Sequence, residues 1–363
     1  MLLLRPTLQR LQSPANMAKQ HSSPIKCGVI GYGGSFNMGK SHLDQMLLAG
    51  MIPTAICEVD RGRLDQASRD FPGIELYESV EQMLARSSVE LLSIITPHHT
   101  HAPLAIQCLS AGRHVVSEKP MAITTHECDA MISAAQSSNV MITAYHNRHW
   151  DGHVLAAVDH VVRKRWVGDV VRINIHWGSR GAPMDWWRSD RGWSGGILYD
   201  WGVHLLEYAM QLLPGARCTE VTGFATHGYW VGKSTAHKLW HNNPNEDEAR
   251  LIARMDNGVA VDMTVTQLDD GKGNAIDVVG TDGHYSIGFQ HWTRTYHQDL
   301  HRIAETGPQP PSEWQRFYQN VNDHLTRGEP LVITAEWARR MIHVIDLACQ
   351  SAKLGRSLPT TYG

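Results

Sequence analysis

The chain has 363 residues, which is enough for about two domains and a sizeable core. Its 33 lysines and arginines nearly balance 36 aspartates and glutamates, so the net charge is −3 and no nucleic-acid partner is expected. No stretch approaches the roughly 20 apolar residues of a membrane helix, so no membrane association is expected.

Residues 1–24 lack a periodic pattern and are predicted to form a flexible N-terminal tail. The six cysteines are scattered and include no CxxC pair. Several of them lie in apolar runs, which indicates reduced, buried thiols and favours a cytoplasmic protein.

Residues 25–146 alternate between the patterns of buried strands and amphipathic helices. The predicted strands are 25–30, 54–57, 89–96, 114–117 and 140–143. The predicted helices follow the glycine-rich turn up to Gly50 and lie at 61–69, 79–86, 102–109 and 125–138. Thr124 and Glu127 form a capping-box pattern ahead of the last helix. This alternation predicts a doubly wound parallel α/β sheet.

In residues 147–363 strands no longer alternate regularly with helices, which predicts an α+β domain with a mostly antiparallel sheet. Helices are expected at 151–165 and 198–213, with a strand at 170–177 between them. Two turns, 256–258 (Asp-Asn-Gly) and 281–283 (Thr-Asp-Gly), each separate two strand-like runs and are typical of hairpins. Helices at 313–326 and 335–352 end the chain, and we expect them to pack back on the first domain.

A glycine-rich turn follows the first strand and opens the first helix, which is typical of a dinucleotide-phosphate site. The expected phosphate-binding residues are Gly31, Gly33, Gly34, Ser35, Phe36, Asn37 and Met38. The third glycine of the usual GxGxxG spacing, Gly39, arrives three residues late, so the loop carries an insertion.

The end of the second strand carries an acid that is placed to bind the adenosine ribose. Glu58 is the better candidate and Asp60 the alternative. A carboxylate there repels a 2′-phosphate, so NAD is favoured over NADP, although the neighbouring Arg61 weakens that preference. The competing interpretation of Glu58 is a solvated strand end.

Two motifs carry candidate catalytic groups. Lys119 follows a buried strand at the carboxyl edge of the sheet, where ligands bind in doubly wound folds. Asp200 and His204 are four residues apart behind Gly195 and Gly196, so a helix would place them on one face. Together, these three side chains are suited to proton transfer beside a nicotinamide. The competing interpretation is that Lys119 is an exposed surface lysine and that Asp200 and His204 only stabilise their helix.

A cluster of histidines raises the question of a metal site. His98, His99 and His101 lie on one loop, and His146 and His149 follow later. Because zinc needs three or four ligands in tetrahedral reach and no cysteine pair is present, we expect no metal.

At this point the motifs resemble those of the Gfo/Idh/MocA family of sugar and cyclitol dehydrogenases. The resemblance rests on 111–120 (Ala-Gly-Arg-His-Val-Val-Ser-Glu-Lys-Pro) and 195–204 (Gly-Gly-Ile-Leu-Tyr-Asp-Trp-Gly-Val-His), supported by 28–33 and 96–101. It covers about residues 25–358. His98 stands where the family commonly has Asn, the glycine loop is longer, and 186–188 (Trp-Trp-Arg) and Trp201 are not general family features.

The resemblance implies a Rossmann domain over residues 25–146 and an open-faced antiparallel sheet domain over 147–363, often used for oligomerisation. A homodimer or homotetramer is therefore expected. It also implies that Lys119, Asp200 and His204 line the substrate site, with Lys119 and His204 as candidates for proton transfer. The expected cofactor residues beyond the glycine loop are Glu58, Thr96, Pro97, His98, His101, Glu118 and Lys119. The expected substrate residues are Lys119, His146, Arg148, Trp187, Arg188, Asp200 and His204.

Three functions are compatible with these residues. The first is an NAD(P)-dependent dehydrogenase of a sugar, glycoside or inositol. The second is a redox-neutral hydrolase or lyase that keeps NAD bound and cleaves a glycoside through a transient keto-sugar. The third is a non-catalytic nucleotide sensor, which the intact Lys119, Asp200 and His204 set disfavours. Accumulation of NADH separates the first from the second.

Overall fold

The structure is a computed structural model that describes residues 23–34, 36–233, 238–269 and 275–360. The predicted N-terminal tail therefore lies outside the described residues except for its last two positions. Ser35, one of the expected phosphate-binding residues, also lies outside them. No helix in the described part of the chain is long and apolar enough to span a membrane.

The first domain is a six-stranded parallel sheet. Its strands are β1 (Lys26–Ile30), β2 (Ile52–Cys57), β3 (Glu75–Tyr77), β4 (Leu91–Ile94), β5 (His114–Ser117) and β6 (Ile142–Ala144). Their order is β3-β2-β1-β4-β5-β6, which is the doubly wound arrangement predicted from the sequence. The order reverses between β1 and β4, so the ligand crevice of such a sheet lies at the carboxyl ends of these strands.

Five helices connect these strands. They are α1 (Met38–Leu48), α2 (Arg61–Asp70), α3 (Val80–Arg86), α4 (His101–Ser110) and α5 (Thr125–Ser138). The Thr124 hydroxyl caps α5 by accepting the Glu127 N–H at 3.1 Å, while the Glu127 carboxylate accepts the N–H of Ile123 at 3.0 Å. The predicted capping box is thus present, with its return hydrogen bond moved by one residue.

The second domain is built on a nine-stranded sheet. Its strands are β7 (Val170–Gly178), β8 (Cys218–Thr226), β9 (Glu248–Met255), β10 (Ala260–Thr266), β11 (Ala275–Gly280), β12 (Gly283–Ile287), β13 (His291–Gln298), β14 (His301–Pro308) and β15 (Leu358–Pro359). The order is β14-β13-β12-β11-β7-β10-β9-β8-β15. Among the strands of this sheet that the structure describes, only β7 and β10 pair in parallel, and the two predicted hairpins are β9–β10 and β11–β12.

Helices cover this sheet and reach back to the first domain. They are α6 (Gly152–Ala157), α7 (Arg191–Ser194), α8 (Val203–Gln211), α9 (Tyr229–Lys233), α10 (Arg316–Arg327) and α11 (Ala335–Leu354). Helix α11 packs on β8 and α5, and α10 packs on α1. The predicted helices at 151–165 and 198–213 each contain a π-helical stretch, Val158–Arg163 and Leu198–Gly202. The second stretch carries Asp200 into the site.

Candidate active site

The glycine loop joins β1 to α1 with very close backbone packing. Gly31 has φ +96°, and a Cβ there would lie 2.4 Å from the Ile95 carbonyl oxygen. A Cβ on Gly39 would lie 2.9 Å from the Gly31 oxygen, so the late third glycine lets α1 pack directly on the end of β1. Glycine is therefore required at both positions.

The start of α1 is suited to an anion. Asn37 precedes the helix with φ 48° and ψ 39°, and no side chain caps the first turn. The first N–H groups of α1 are therefore available to a phosphate, and the helix dipole favours negative charge there. The loop and α1 thus fit the pyrophosphate of a dinucleotide.

Glu58 lies at the end of β2 and is only 5% exposed. Its carboxylate accepts the Tyr32 N–H at 2.8 Å and the Asp60 N–H at 2.9 Å, so it holds the glycine loop in shape. The guanidinium of Arg63 lies 3.7 Å from the same carboxylate. Glu58 is therefore not the solvated strand end of the competing interpretation, and Arg63, which sequence reasoning missed, is the nearest cation.

A first cleft of about 250 Å³ opens at the carboxyl edge of the parallel sheet. It brings together most of the expected cofactor residues, namely Gly33, Gly34, Phe36, Met38, Thr96, Pro97, His98, His101, Glu118 and Lys119. Arg63, Ile95 and Trp186 line it as well, and the expected substrate residues Trp187 and Arg188 form its far wall.

Two buried histidines fix the loops around this cleft. The Nδ1 of His98 lies 2.9 Å from the Ser194 carbonyl oxygen, which links the two domains. The ring of His101 lies between the carbonyl oxygens of Pro120 and Thr96, at 2.8 and 2.9 Å. Burial lowers the pKa of both histidines, so both are neutral near pH 7.

An ion triad joins the two domains at the inner end of the cleft. The Lys119 ammonium donates to Asp200 Oδ1 at 2.8 Å and to the Asp200 carbonyl at 3.1 Å. The Arg188 guanidinium donates to the same Oδ1 at 2.8 Å. Burial acts to raise the pKa of Asp200, but Lys119 and Arg188 outweigh it and hold that pKa well below its ordinary value.

His204 lies close to the triad but makes no hydrogen bond to Lys119 or Asp200 among the described residues. Its Nδ1 is buried without a partner, and its ring is 5.9 Å from the Trp201 ring and 6.0 Å from the His146 ring. Burial and the charge of Lys119 lower its pKa well below the ordinary value. Asp200 lies in the π-helical stretch and His204 in the first turn of α8, and no hydrogen bond joins their side chains among the described residues.

The turn before Asp200 depends on two glycines and a buried acid. Gly195 and Gly196 have φ +90° and +134°, and a Cβ on Gly196 would lie 2.8 Å from a Glu246 carboxylate oxygen. Glu246 accepts the Ile197 N–H at 3.0 Å and pairs with Arg191 at 3.0 Å. The glycines therefore serve a fixed turn around Glu246.

A second cleft of about 330 Å³ lies in the second domain and meets the first at Trp186 and Arg188, which line both. Asp200, Trp201 and Trp177 line it, and the two indoles are 4.2 Å apart. Lys119 thus faces the first cleft and Asp200 the second. Their ion pair stands where the two clefts meet.

Three expected substrate residues lie outside both clefts, and two more, Lys119 and Trp187, line only the first. Arg148 stacks over the Trp201 ring at 4.8 Å and pairs with Asp151 at 3.3 Å. His146 and His204 line neither cleft directly. Trp187 lies against the His98 ring at 4.7 Å, on the cofactor side. Trp177 and Trp186 line the second cleft instead, and an aromatic-rich stretch alone does not tell which indole faces which cleft.

A buried polar network supports the lysine motif from behind. Glu118 accepts the Lys119 N–H at 2.8 Å, and its other oxygen lies 3.1 Å from His42 Nε2. His42 Nδ1 in turn lies 2.5 Å from the hydroxyl of Tyr318, on α10. Since an ionised carboxylate only accepts, His42 donates from Nε2 and accepts at Nδ1. Sequence reasoning missed His42 and Tyr318.

The remaining predictions on this region concern metals. Within the described ranges, no group of three or more His, Cys, Asp or Glu side chains is arranged to hold a metal ion.

Comparison with known proteins agrees with this geometry. Residues 25–146 match the model of the oxidoreductase family with an NAD-binding Rossmann fold, and residues 155–286 match that of the GFO/IDH/MocA C-terminal domain. The scyllo-inositol 2-dehydrogenase (NADP(+)) of Bacillus subtilis is 24% identical over 92% of this chain and 95% of its own.

Two solved structures share the fold over nearly the whole chain. An NAD-binding protein from Listeria innocua superposes with a TM-score of 0.79 at 23% identity, over 94% of this chain and 98% of its own. The aldose-aldose oxidoreductase from Caulobacter crescentus superposes with a TM-score of 0.76 at 20% identity, over 93% of this chain and 100% of its own. From the two family models and the shared fold, the chain belongs to the Gfo/Idh/MocA family of NAD(P)-dependent oxidoreductases.

Proposed function

We propose that the protein transfers hydride between a nicotinamide and a carbinol carbon of a sugar, glycoside or inositol. The observation that carries the proposal is the Lys119–Asp200 pair, 2.8 Å apart, at the meeting point of the first cleft and the second cleft. A carbinol bound in the second cleft beside Asp200 would lie next to a nicotinamide bound in the first.

The glycine loop and the first N–H groups of α1 would hold the pyrophosphate, and NAD(P) would supply the hydride acceptor. Lys119 donates a hydrogen bond to the substrate oxygen and stabilises the negative charge that develops there. His204, which burial keeps neutral, is the candidate acceptor of the hydroxyl proton; because its ring lines neither cleft, a bridging water would carry the proton to it. Asp200 orients Lys119, and both cations lie on its Oδ1, which leaves Oδ2 for a substrate hydroxyl.

We infer a preference for NAD from Glu58, whose carboxylate at the end of β2 repels a 2′-phosphate. Arg63 works against this preference because its guanidinium lines the first cleft next to Gly33 and Gly34. The ratio of kcat/KM for NAD to kcat/KM for NADP shows whether the effect of Glu58 or that of Arg63 is larger.

The experiment is to mix the purified protein with NAD or NADP and a panel of hexoses, inositols and aryl glycosides, and to follow nicotinamide reduction. Lys119→Ala should lower kcat by about 10²–10⁴-fold, the range of a lost proton-transfer or charge-stabilising group, with little change in nucleotide affinity. An unchanged kcat in Lys119→Ala would contradict the assignment.

A second candidate is redox-neutral cleavage of a glycoside with bound NAD. The aromatic wall of the second cleft, formed by Trp177, Trp186 and Trp201, favours it because an aglycone would find apolar contacts there. Release of an aglycone without accumulation of NADH in the same panel would select this candidate. We also propose a homodimer or homotetramer, which light scattering of the purified protein tests.

A further inference from the structure

The second cleft is larger than a single sugar ring needs. Its volume is about 330 Å³. A hexose or inositol has about twelve non-hydrogen atoms, and at roughly 15 Å³ per densely packed atom, half the share of a liquid water, it fills about 180 Å³. A ring beside Asp200 therefore leaves part of this open cleft unoccupied.

The remaining space extends towards the ends of the paired strands β7 and β10. Gly178 and Thr266 end these strands in register, and both line the cleft. Beyond them, the Gly181 N–H donates to the Gln267 carbonyl oxygen at 3.1 Å, which joins the chain after β7 to the chain after β10. We call this part of the second cleft, lined by Ser179, Gly181, Ala182, Pro183, Thr266 and Gln267, the outer end.

The outer end is polar but uncharged. None of its six residues carries a charge, and the guanidinium of the neighbouring Arg180 donates to the Leu268 carbonyl and the Tyr229 hydroxyl, so among the described residues no cation of the outer end is left for a phosphate or carboxylate group. The Ser179 hydroxyl and the Gln267 side-chain amide make no hydrogen bond to another described residue. Both groups can therefore donate to or accept from the hydroxyls of an uncharged ligand.

The geometry points to a second sugar subsite at the outer end of the cleft. The substrate is then an uncharged molecule of two rings, a disaccharide or an aryl glycoside, whose oxidised ring lies at Asp200 and whose second ring lies between Gly181 and Gln267. Trp177 and Trp201 also line the cleft and offer apolar contacts to a ring there, while their ring faces are taken up largely by each other and by Arg148. This inference rests on the proposed function for the oxidised ring and adds the second ring.

A substitution that fills the outer end tests the subsite without disturbing the ion triad. A Cβ on Gly181 meets no atom within 4 Å and its φ lies outside the left-handed region, so Gly181→Leu projects into open space without backbone strain. Gly232→Leu is the matched control, because Gly232 is equally unobstructed and lines neither cleft.

The assay compares D-glucose and myo-inositol with cellobiose, maltose and phenyl β-D-glucoside, using NAD and NADP. We expect kcat/KM for at least one two-ring compound to exceed that of its one-ring parent by about tenfold or more. Gly181→Leu should abolish this advantage and change the one-ring values less than about twofold, while Gly232→Leu should behave as wild type. Equal values for one-ring and two-ring compounds, or an equal loss for both in Gly181→Leu, would overturn the subsite.

Failure of the proposed function is distinguishable from failure of the subsite. If no compound reduces either nucleotide, the dehydrogenase proposal fails, and binding then decides the subsite. Quenching of tryptophan fluorescence reports binding because Trp177 and Trp201 line the cleft. Tighter binding of cellobiose than of D-glucose, lost in Gly181→Leu only, supports the subsite. The same affinity for both, or no binding of either, refutes it.

Discussion

His146 should make the protein sensitive to mild acid. Its ring is fully buried and neither nitrogen has a hydrogen-bond partner among the described residues. Burial lowers the pKa of His146 to about 4, from 6.5 in the unfolded chain. Between these values the unfolded chain binds a proton that the native protein does not. The contribution of His146 to stability is therefore full above pH 6.5 and is lost as the pH falls towards 4.

The two pKa values give the size of the effect. The linkage relation predicts that His146 alone costs about 1.8 kcal/mol of unfolding free energy between pH 7 and pH 5. The loss levels off below pH 4 at about 3.4 kcal/mol, from a shift of about 2.5 units at 1.36 kcal/mol each. His146→Leu removes this dependence, and any packing cost that it introduces is the same at both pH values.

The assay is urea unfolding of wild type and His146→Leu at pH 7 and pH 5, followed by circular dichroism. Wild type should lose about 2 kcal/mol more than the variant between the two pH values, because His146 stays neutral in the native protein over most of this range and so leaves the titration of its neighbours His149 and His204 almost unchanged. Substitution of an exposed histidine, His126→Leu, should leave the wild-type loss unchanged. If wild type and His146→Leu lose the same free energy, then His146 is charged or solvated in the native state and the reasoning is refuted.

Three further substitutions test the support of the site. Tyr318→Phe removes the hydroxyl at His42 Nδ1 and should lower the free energy of urea unfolding by about 1–3 kcal/mol. It should also raise KM for the nucleotide. An unchanged KM would show that the network does not support the cofactor site. Gly39→Ala should push α1 away from β1 and lower the free energy of unfolding by about 1–3 kcal/mol. It should also weaken nucleotide binding measured by calorimetry, and a wild-type affinity would contradict this. Glu58→Gln should raise the ratio of kcat/KM for NADP over NAD, whereas a lower ratio would remove Glu58 from nucleotide selection.

The sequence predicts the elements whose patterns are local. Buried strands such as β1 are continuous apolar runs. The hairpin turns at Asn257-Gly258 and Asp282-Gly283 carry the Asn-Gly and Asp-Gly pairs that tight hairpin turns prefer. The pair β13–β14 was not predicted, because its residues are mostly exposed and polar and lack the alternation of a half-buried strand. The π-helical stretch at Leu198–Gly202 was also missed; the N–H of Ile197, just before it, is held by the distant Glu246.

Of the candidate site, the sequence motifs supplied Lys119 and Asp200, which the fold brings within 2.8 Å of each other. Their catalytic role stays a prediction. Arg63, His42 and Tyr318 were missed because each acts through a contact between segments far apart in the chain. Spacing along a sequence predicts neighbours within one helix or strand, whereas these contacts depend on how the helices pack on the sheet.

The contact between Tyr318 and His42 also bears on the order in which a newly made chain acquires its parts. Domains generally fold from the N-terminus during synthesis, and the whole parallel sheet leaves the ribosome before residue 318 is added. Until then His42 lacks its Tyr318 partner, and the network behind Glu118 and Lys119 is incomplete. A nascent first domain would therefore hold Lys119 in place, and reach its full affinity for nucleotide, only after residue 318 has been added and α10 has packed on α1.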